Sequence, residues 1–329
     1  MEKIALIMDP GTRDMVINQK TIDRLSKIGE VVINQGGNNI ESVKPLLKDA
    51  TVCVTSWGST PLDEELLAVC PDLKILIHAA GSVKPVVSDA LWEKGVRVAS
   101  SAPMLSMGVS ETALGFTISA SKNFYNLNAN LHNGLWAEGK ENIRELYELT
   151  VGVISGGWAG RHYIELLAPF NVDILLYDPF VSEETAASWG CRKATFEEVL
   201  EQSDIISIHA PSIPETYHMF NAETLAKMKK DAILINTARG SLIDEEALYN
   251  HMKAGNLKYA CLDVFDPEPP AADHPLRTLP NCIMTPHLAG LAANGLKKIG
   301  QHVCEELERF LAGEKLLAEV TQEMLAKMA

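Results

Sequence analysis

The sequence predicts an α/β protein with two doubly wound, mainly parallel sheets. Short apolar runs alternate with helical patterns along the whole chain, the order expected when strands are joined by helical crossovers. A length of 329 residues exceeds one typical domain and suits two. An apolar content of 47% against 22% charged residues supplies a core for each.

The first hundred residues predict strands at Ile4–Met8, Glu30–Ile33, Thr51–Val54, Ile75–Ile77 and Arg97–Ala99. Helical patterns lie between them, among them Thr21–Ile28 and Asp63–Val69. A long helix is expected from about Val109 to Asn126, with Ser110 and Glu111 in its first turn, where a carboxylate faces the positive helix end. A polar segment, Asn128–Glu148, leads to a second series. Its strands are predicted at Thr150–Ile154, Asp173–Tyr177, Ile205–His209, Ile233–Asn236, Tyr259–Asp263 and Cys282–Thr285. Six strands with helices between them is the count of a dinucleotide-binding, Rossmann-like domain. The tail from Gly290 reads as helical, with Leu291, Ile299, Val303, Leu307 and Phe310 on one face. Gly313 ends that pattern, and Leu317, Val320, Met324 and Leu325 suggest a second amphipathic stretch.

Composition excludes several classes. A net charge of −14 disfavours general nucleic-acid binding, which needs clustered Lys and Arg to displace counterions. No apolar run reaches the length of a membrane-spanning helix. The N-terminal MEKIALIMDP reads as a first strand and not as a signal peptide, so a cytoplasmic location is expected. The six cysteines are scattered through apolar stretches without a C-x-x-C pair and are expected to be reduced core residues. No His/Cys spacing suggests a metal site.

The segment VGVISGGWAG (Val151–Gly160) joins a strand to a helix expected over Arg161–Ala168. Its spacing is Ser155-x-Gly157-x-x-Gly160, a variant of the turn whose backbone N–H groups hold a pyrophosphate at a helix N-terminus. Trp158 and Ala159 complete the loop. Asp178 ends the next strand, where a carboxylate accepts from the ribose hydroxyls of NAD and repels the phosphate of NADP. Ser155 stands where glycine usually makes the tight turn. A glycine turn without a ligand is the alternative reading of the same residues.

Three further segments place polar residues after strands: NTARG (Asn236–Gly240), LDVFDPEPP (Leu262–Pro270) and TPHLAG (Thr285–Gly290). Taken singly, Arg239, Glu268 and His287 each have an ordinary structural reading. Together they meet one chemical need. Reducing a 2-keto acid takes a proton donor for the carbonyl oxygen and a cation for the anionic groups. Histidine is a common proton donor near neutrality, and a neighbouring carboxylate orients it. Arginine binds carboxylate and carbonyl oxygens through its fork of donors.

These segments, with DIISIHAPSIPET (Asp204–Thr216), MKKDAILINTARGSLIDEEAL (Met228–Leu248) and the VSE at Val109–Glu111, resemble the D-isomer-specific 2-hydroxyacid dehydrogenases. That family includes D-lactate, glyoxylate/hydroxypyruvate and 3-phosphoglycerate dehydrogenases. The likeness spans roughly residues 70 to 300. It implies that Arg239 binds substrate, His287 is the general acid–base and Glu268 orients it. It gives Asp263 the nicotinamide carboxamide and Asp178 the adenosine ribose. His209, Ala210, Pro211, Thr216, Thr237 and Ala238 would line the NAD cleft. It implies a substrate-binding domain from residues 1–104 plus 294–329, an NAD-binding domain from 105–293, an active-site cleft between them and a homodimer formed through the NAD-binding domain. The expected partner is a small 2-keto or 2-hydroxy acid, with neither nucleic acid nor membrane. With 329 residues, the chain is not expected to carry an additional regulatory domain.

The segment HAAGSVKP (His78–Pro85) aligns with the family's substrate-carboxylate loop but departs from its usual G-x-G. Gly81 and Ser82 remain able to present N–H groups. Lys84 reads either as a contact for a second anionic group or as a solvent-facing lysine. Trp57, in SWGST (Ser56–Thr60), reads either as a wall of the substrate pocket or as packing. Two other functions share this fold: an NAD-sensing, corepressor-like binding protein and a degraded dehydrogenase. The trio argues against the second. Glu268 argues against formate oxidation, where that position is glutamine.

Overall fold

The computed structural model describes residues 2–328. They contain thirteen strands: β1 (Glu2–Leu6), β2 (Gly29–Ile33), β3 (Val52–Thr55), β4 (Ile75–His78), β5 (Arg97–Ser100), β6 (Thr150–Ile154), β7 (Asp173–Tyr177), β8 (Arg192–Lys193), β9 (Ile205–Ile208), β10 (Ala232–Asn236), β11 (Leu257–Leu262), β12 (Cys282–Met284) and β13 (Glu319–Val320). They build two sheets, ordered β13-β5-β4-β3-β1-β2 and β12-β11-β10-β9-β6-β7-β8. In each, the series starts at an interior strand, β1 or β6, and builds outward on both sides of it, the doubly wound arrangement.

The chain forms two compact units. One comprises the residues up to Ser106 and those from Leu291 onward; the other is Met107–Gly290. The central strands β3, β4, β9 and β10 are buried along their whole length. Helices cover both faces of a parallel sheet, so these strands are mainly apolar on both faces and do not alternate.

In the first unit, β1 through β5 pair in parallel and β13 closes one edge antiparallel to β5. The stretch from Leu317 is therefore a short strand followed by a 3-10 turn, Gln322–Lys327, and not an amphipathic helix. Gly313, at φ 70°, turns the chain out of the preceding helix. Side chains fix the returning strand. Buried Glu306 accepts from the N–H groups of Leu317 and Ala318 at 3.0 and 3.2 Å, and Arg97 pairs with Glu319 through two bonds of 2.6 and 3.0 Å. The tail helix is Lys297–Leu311; Ile299, Val303 and Leu307 enter the core, whereas Leu291 precedes the helix and is 50% exposed. Truncating Leu307 to alanine there would cost about 2–5 kcal/mol.

In the second unit the strands all pair in parallel. The sheet has a seventh strand, β8, whose two residues are too few to show periodicity. The long helix starts at Ala102, in the first unit and ahead of the Val109 expected from sequence, and continues into the second. Pro103 lies in its first turn, where a missing N–H is harmless, and the N–H groups of Met104 and Leu105 reach Ser101 O at 3.0 and 3.1 Å. Ser110 and Glu111 are thus mid-helix. The helix ends at Ser121, short of the Asn126 expected, and Asn123 at φ 58° separates it from a second helix, Phe124–His132, which runs from the end of the expected helix into the polar segment.

Candidate active site

β6 runs into the glycine turn, and Gly157 caps a helix at Trp158–Leu167 without a side-chain hydrogen bond. The first-turn N–H groups of that helix therefore lack a capping side chain, the usual setting for an anion. Three glycines serve different needs. A Cβ on Gly160 would sit 2.0 Å from Ser155 O, and one on Gly156 would sit 2.9 Å from the Trp189 ring. A Cβ on Gly157 would meet only the Ser155 hydroxyl, at 4.0 Å. Gly160 and Gly156 thus permit close packing, while Gly157 leaves open space over the helix terminus. Ser155 adopts φ 78°, the left-handed conformation that disfavours a Cβ. Trp158 is partly buried, its ring 6.1 Å from that of His162 one turn along the helix. Ser110 donates to Ala159 O at 2.8 Å, tying the long helix to the loop.

Asp178 is 6% exposed. Its Oδ2 accepts from Gly156 N–H at 2.8 Å and the Ser155 hydroxyl at 3.3 Å. Its Oδ1 accepts from the N–H groups of Phe180 and Val181 at 2.7 and 3.2 Å. The carboxylate that sequence assigns to ribose also braces the glycine loop.

β9 delivers His209, whose N–H bonds Ile154 O at 2.9 Å. The His209 ring is enclosed, with Nε2 2.9 Å from Ser207 Oγ and its centroid 5.2 Å from the Tyr163 ring. Burial pushes its pKa down to about 3, so the imidazole is neutral. Ala210 is buried, Pro211 is partly buried, and Thr216 donates to Pro211 O at 2.6 Å. β10 delivers Thr237 and Ala238. His209 Nδ1 and Thr237 Oγ1 are buried without a hydrogen-bond partner. Two orphaned polar atoms and the open space above Gly157 fit a ligand rich in hydrogen-bonding groups, as a dinucleotide is.

Arg239 follows at the end of the same segment. Asn236 shapes the turn: its side chain donates to Arg239 O at 2.9 Å and accepts from Ala238 N–H at 3.0 Å. A Cβ on Gly240 would lie 2.0 Å from the Phe265 carbonyl carbon, so glycine lets the Arg239 turn approach the turn that carries Glu268. Burial lowers the Arg239 guanidinium from its ordinary value, and the charge of Glu268 opposes this. A desolvated guanidinium is a strong ligand for an anion.

β11 ends at Leu262 and leads to Asp263, which is fully buried. Its carboxylate accepts from Thr285 Oγ1 and from the N–H groups of Leu288 and Ala289 at 3.0 and 2.8 Å. The Asp263 carbonyl accepts from His287 N–H at 2.8 Å. These bonds hold His287 at φ 51°, a left-handed conformation for a residue with a Cβ. His287 Nδ1 then lies 2.7 Å from Glu268 Oε2, while Glu268 Oε1 accepts from Phe265 N–H at 3.0 Å. The imidazole is thus oriented with Nε2 away from the carboxylate. The second unit brings Arg239, Glu268, His287 and Asp263 to neighbouring turns at the carboxyl ends of β10, β11 and β12.

Apart from Arg239, the residues predicted for substrate lie in the first unit, also after strand ends. Ser56 donates to Ala79 O at 2.8 Å, and Ser101 N–H bonds Ala80 O at 2.9 Å. Buried His78 accepts or donates at Nδ1 to Thr55 Oγ1 at 2.9 Å, and burial pushes it down to about 4. These bonds fix the loop carrying Gly81 and Ser82. Lys84 is exposed, and Trp57 is partly buried against the core beneath the tail helix. Sequence reading did not single out Glu245 or His274, which form an ion-pair geometry of 2.8 Å beside the Glu268 turn. They are 29 positions apart, and no local spacing connects them.

A doubly wound domain with this loop, helix terminus and strand-end carboxylate is a dinucleotide-binding domain. Residues 114–289 match the family model described as D-isomer specific 2-hydroxyacid dehydrogenase, NAD binding domain. A D-3-phosphoglycerate dehydrogenase of Methanocaldococcus jannaschii is 34% identical over 98% of this chain and 61% of its own length. A glyoxylate reductase of Korarchaeum cryptofilum is 30% identical over 85% of each chain. D-mandelate dehydrogenase of Rhodotorula graminis shares the fold, with a TM-score of 0.83 at 21% identity over 98% of each chain. The chain spans 48% to 61% of the first three phosphoglycerate dehydrogenases it matches. It belongs to the D-isomer specific 2-hydroxyacid dehydrogenase family, and its Met107–Gly290 unit contains the NAD-binding domain.

Proposed function

We propose that the protein is an NAD-dependent oxidoreductase interconverting a 2-keto acid and a D-2-hydroxy acid, with Arg239, His287 and Glu268 as its working groups. The observation that carries this reading is the 2.7 Å contact between His287 Nδ1 and Glu268 Oε2. It leaves Nε2 as the nitrogen that faces substrate. NADH, when bound, supplies the hydride that adds to the carbonyl carbon. His287 gives its Nε2 proton to the carbonyl oxygen: the hydride pair forms the new C–H bond, and the C=O π pair moves onto oxygen and forms the new O–H bond. Glu268 stabilises the imidazolium before transfer and fixes the ring. Arg239 binds the carboxylate and carbonyl oxygens through two N–H groups. In the oxidative direction His287 accepts the hydroxyl proton.

Gly81 and Ser82 present N–H groups to the substrate carboxylate, and Lys84 reads a second anionic group. Asp178 serves the ribose, and Asp263 and Thr237 the nicotinamide end. The unit formed by the two chain ends is the substrate-binding domain. Exposed Phe124, Leu131, Trp136 and Tyr147 in the second unit support a homodimer through that unit. Six unpaired, buried cysteines support a cytoplasmic location.

The test is NADH oxidation against glyoxylate, hydroxypyruvate, pyruvate, a phosphorylated keto acid and bulkier analogues. His287→Ala should lower kcat on the order of a hundredfold or more. A change confined to KM would remove His287 from proton transfer. Normal NADH binding with no turnover on any keto acid would sink the reading.

A further inference from the structure

A second carboxylate–imidazole pair stands behind the first. Glu245 opens the helix Glu245–Lys253, which follows the Arg239 turn. Its Oε2 lies 2.8 Å from His274 Nε2, and the two side chains are only 13% and 18% exposed. Its Oε1 accepts the N–H of Asp266 at 3.1 Å. Asp266 is two residues before Glu268, inside the turn Phe265–Pro270.

That turn is poorly able to hold itself. Pro267, Pro269 and Pro270 have no N–H to give. Of the donors that remain, Phe265 N–H goes to Glu268 Oε1 and Asp266 N–H to Glu245 Oε1. The Phe265 backbone is in turn packed against Gly240, next to Arg239. The turn that positions Glu268 is therefore held between the Arg239 segment on one side and the Glu245 carboxylate on the other.

We propose that Glu245, held by His274, is a positioning residue that fixes the Phe265–Pro270 turn and thereby sets Glu268 against His287. The proposal rests on the assignment of His287 and Glu268 to proton transfer. The burial of Glu245 pushes its carboxyl up, whereas the Asp266 amide and His274 favour the ionised form. The charged and titratable groups facing it are His274, the Asp266 carboxylate and the Cys282 thiol. Oε1 accepts from Asp266 N–H while Oε2 meets His274, so one carboxyl group links the turn to the imidazole.

The experiment compares Glu245→Ala, Glu245→Gln and His274→Gln with the unmodified enzyme on whichever keto acid it reduces. Glu245→Ala is expected to lower kcat about tenfold with KM nearly unchanged, the usual effect of removing a group that orients an active-site residue. The basic limb of its kcat/KM profile should move to lower pH, because Glu268 no longer stabilises the proton on its neighbour. NADH dissociation constants should not change. Glu245→Gln keeps an acceptor for Asp266 N–H and should recover most of kcat. A purely structural pair would shift the denaturation midpoint of Glu245→Ala while leaving kcat per folded molecule and the pH limb in place, and that result overturns the proposal. Should Glu245→Ala fail to fold, His274→Gln decides: a lowered kcat with a moved pH limb supports the positioning role, and an unmoved pair of values refutes it. His287→Ala in the same assay separates the two levels. If it retains full kcat, the assignment of proton transfer has failed; if it is inactive while Glu245→Ala is normal, only the positioning role has.

Discussion

The Ser155 hydroxyl donates to Asp178 Oδ2 across 3.3 Å, from a residue that occupies the left-handed region at φ 78°. The bond partly offsets the cost of a Cβ in that conformation. The two contributions separate in variants. Ser155→Ala keeps the Cβ and loses the bond; Ser155→Gly loses both. The glycine variant should be the more stable of the two by about 1 kcal/mol, read from denaturant midpoints without nucleotide. Equal midpoints would show that the loop relaxes away from this conformation.

The glycines of the same loop predict opposite phenotypes. Gly160→Ala puts a Cβ into the Ser155 carbonyl, so it should lower thermal stability and NADH affinity together. Gly157→Ala meets open space, so it should fold normally. Its methyl group would still intrude where a pyrophosphate approaches the helix terminus, weakening NADH binding about tenfold or more. Titration by NADH fluorescence beside a thermal melt distinguishes them. A Gly157→Ala protein with normal affinity would place the pyrophosphate elsewhere.

Arg239→Lys tests whether the guanidinium fork is needed. A lysine keeps the charge but not two parallel N–H bonds. kcat/KM for keto acid should fall on the order of a hundredfold, with NADH affinity unchanged. Retention of most activity would mean that the positive charge alone suffices.

His78 and His209, one in each unit, make the fold sensitive to mild acid. Burial holds His78 at about 4 and His209 at about 3, against 6.5 for the free side chain. Below pH 6.5 the unfolded chain takes up protons that the folded chain refuses. Stability is therefore full above pH 6.5 and is lost as pH falls towards the folded values. Urea midpoints should decline between pH 6.5 and 5, above the range where most carboxylates titrate. His209→Gln should flatten that decline. An unchanged slope would assign the acid sensitivity to other groups.

Much of this was legible from sequence because the signals are local. Val151–Ile154, the glycine turn and Asp178 lie in one continuous segment, and β6 and β7 occur where their apolar runs predict. Arg239, Glu268 and His287 follow recognisable strand ends, so their convergence on neighbouring turns needed only the sheet order. What was not legible depends on distant partners. β13 is two residues long and becomes a strand only because Glu306 and Arg97 hold it against β5. The helix starts at Ala102, ahead of its apolar pattern, because proline is favourable in a first turn although it usually marks a break. Asp178 and Asp263 read as cofactor ligands, and only coordinates reveal that their oxygens also organise the loops around them. Glu245 and His274 meet through a fold-level approach that no periodicity encodes.

The return of the chain after Gly290 has a consequence for biogenesis. Leu296, Ile299, Val303, Leu307 and Leu316 pack in the same core cluster as Ile4, Leu6, Val52 and Ile75. The strands of residues 2–100 therefore wait for the helix Lys297–Leu311, which is made after every residue of the Met107–Gly290 unit. During translation the Met107–Gly290 unit can fold as a whole, and the other is left with an incomplete apolar face until Leu296–Leu316 emerge. The interval in which this chain most needs protection from aggregation is set by the split unit, not by the unit that binds the nucleotide.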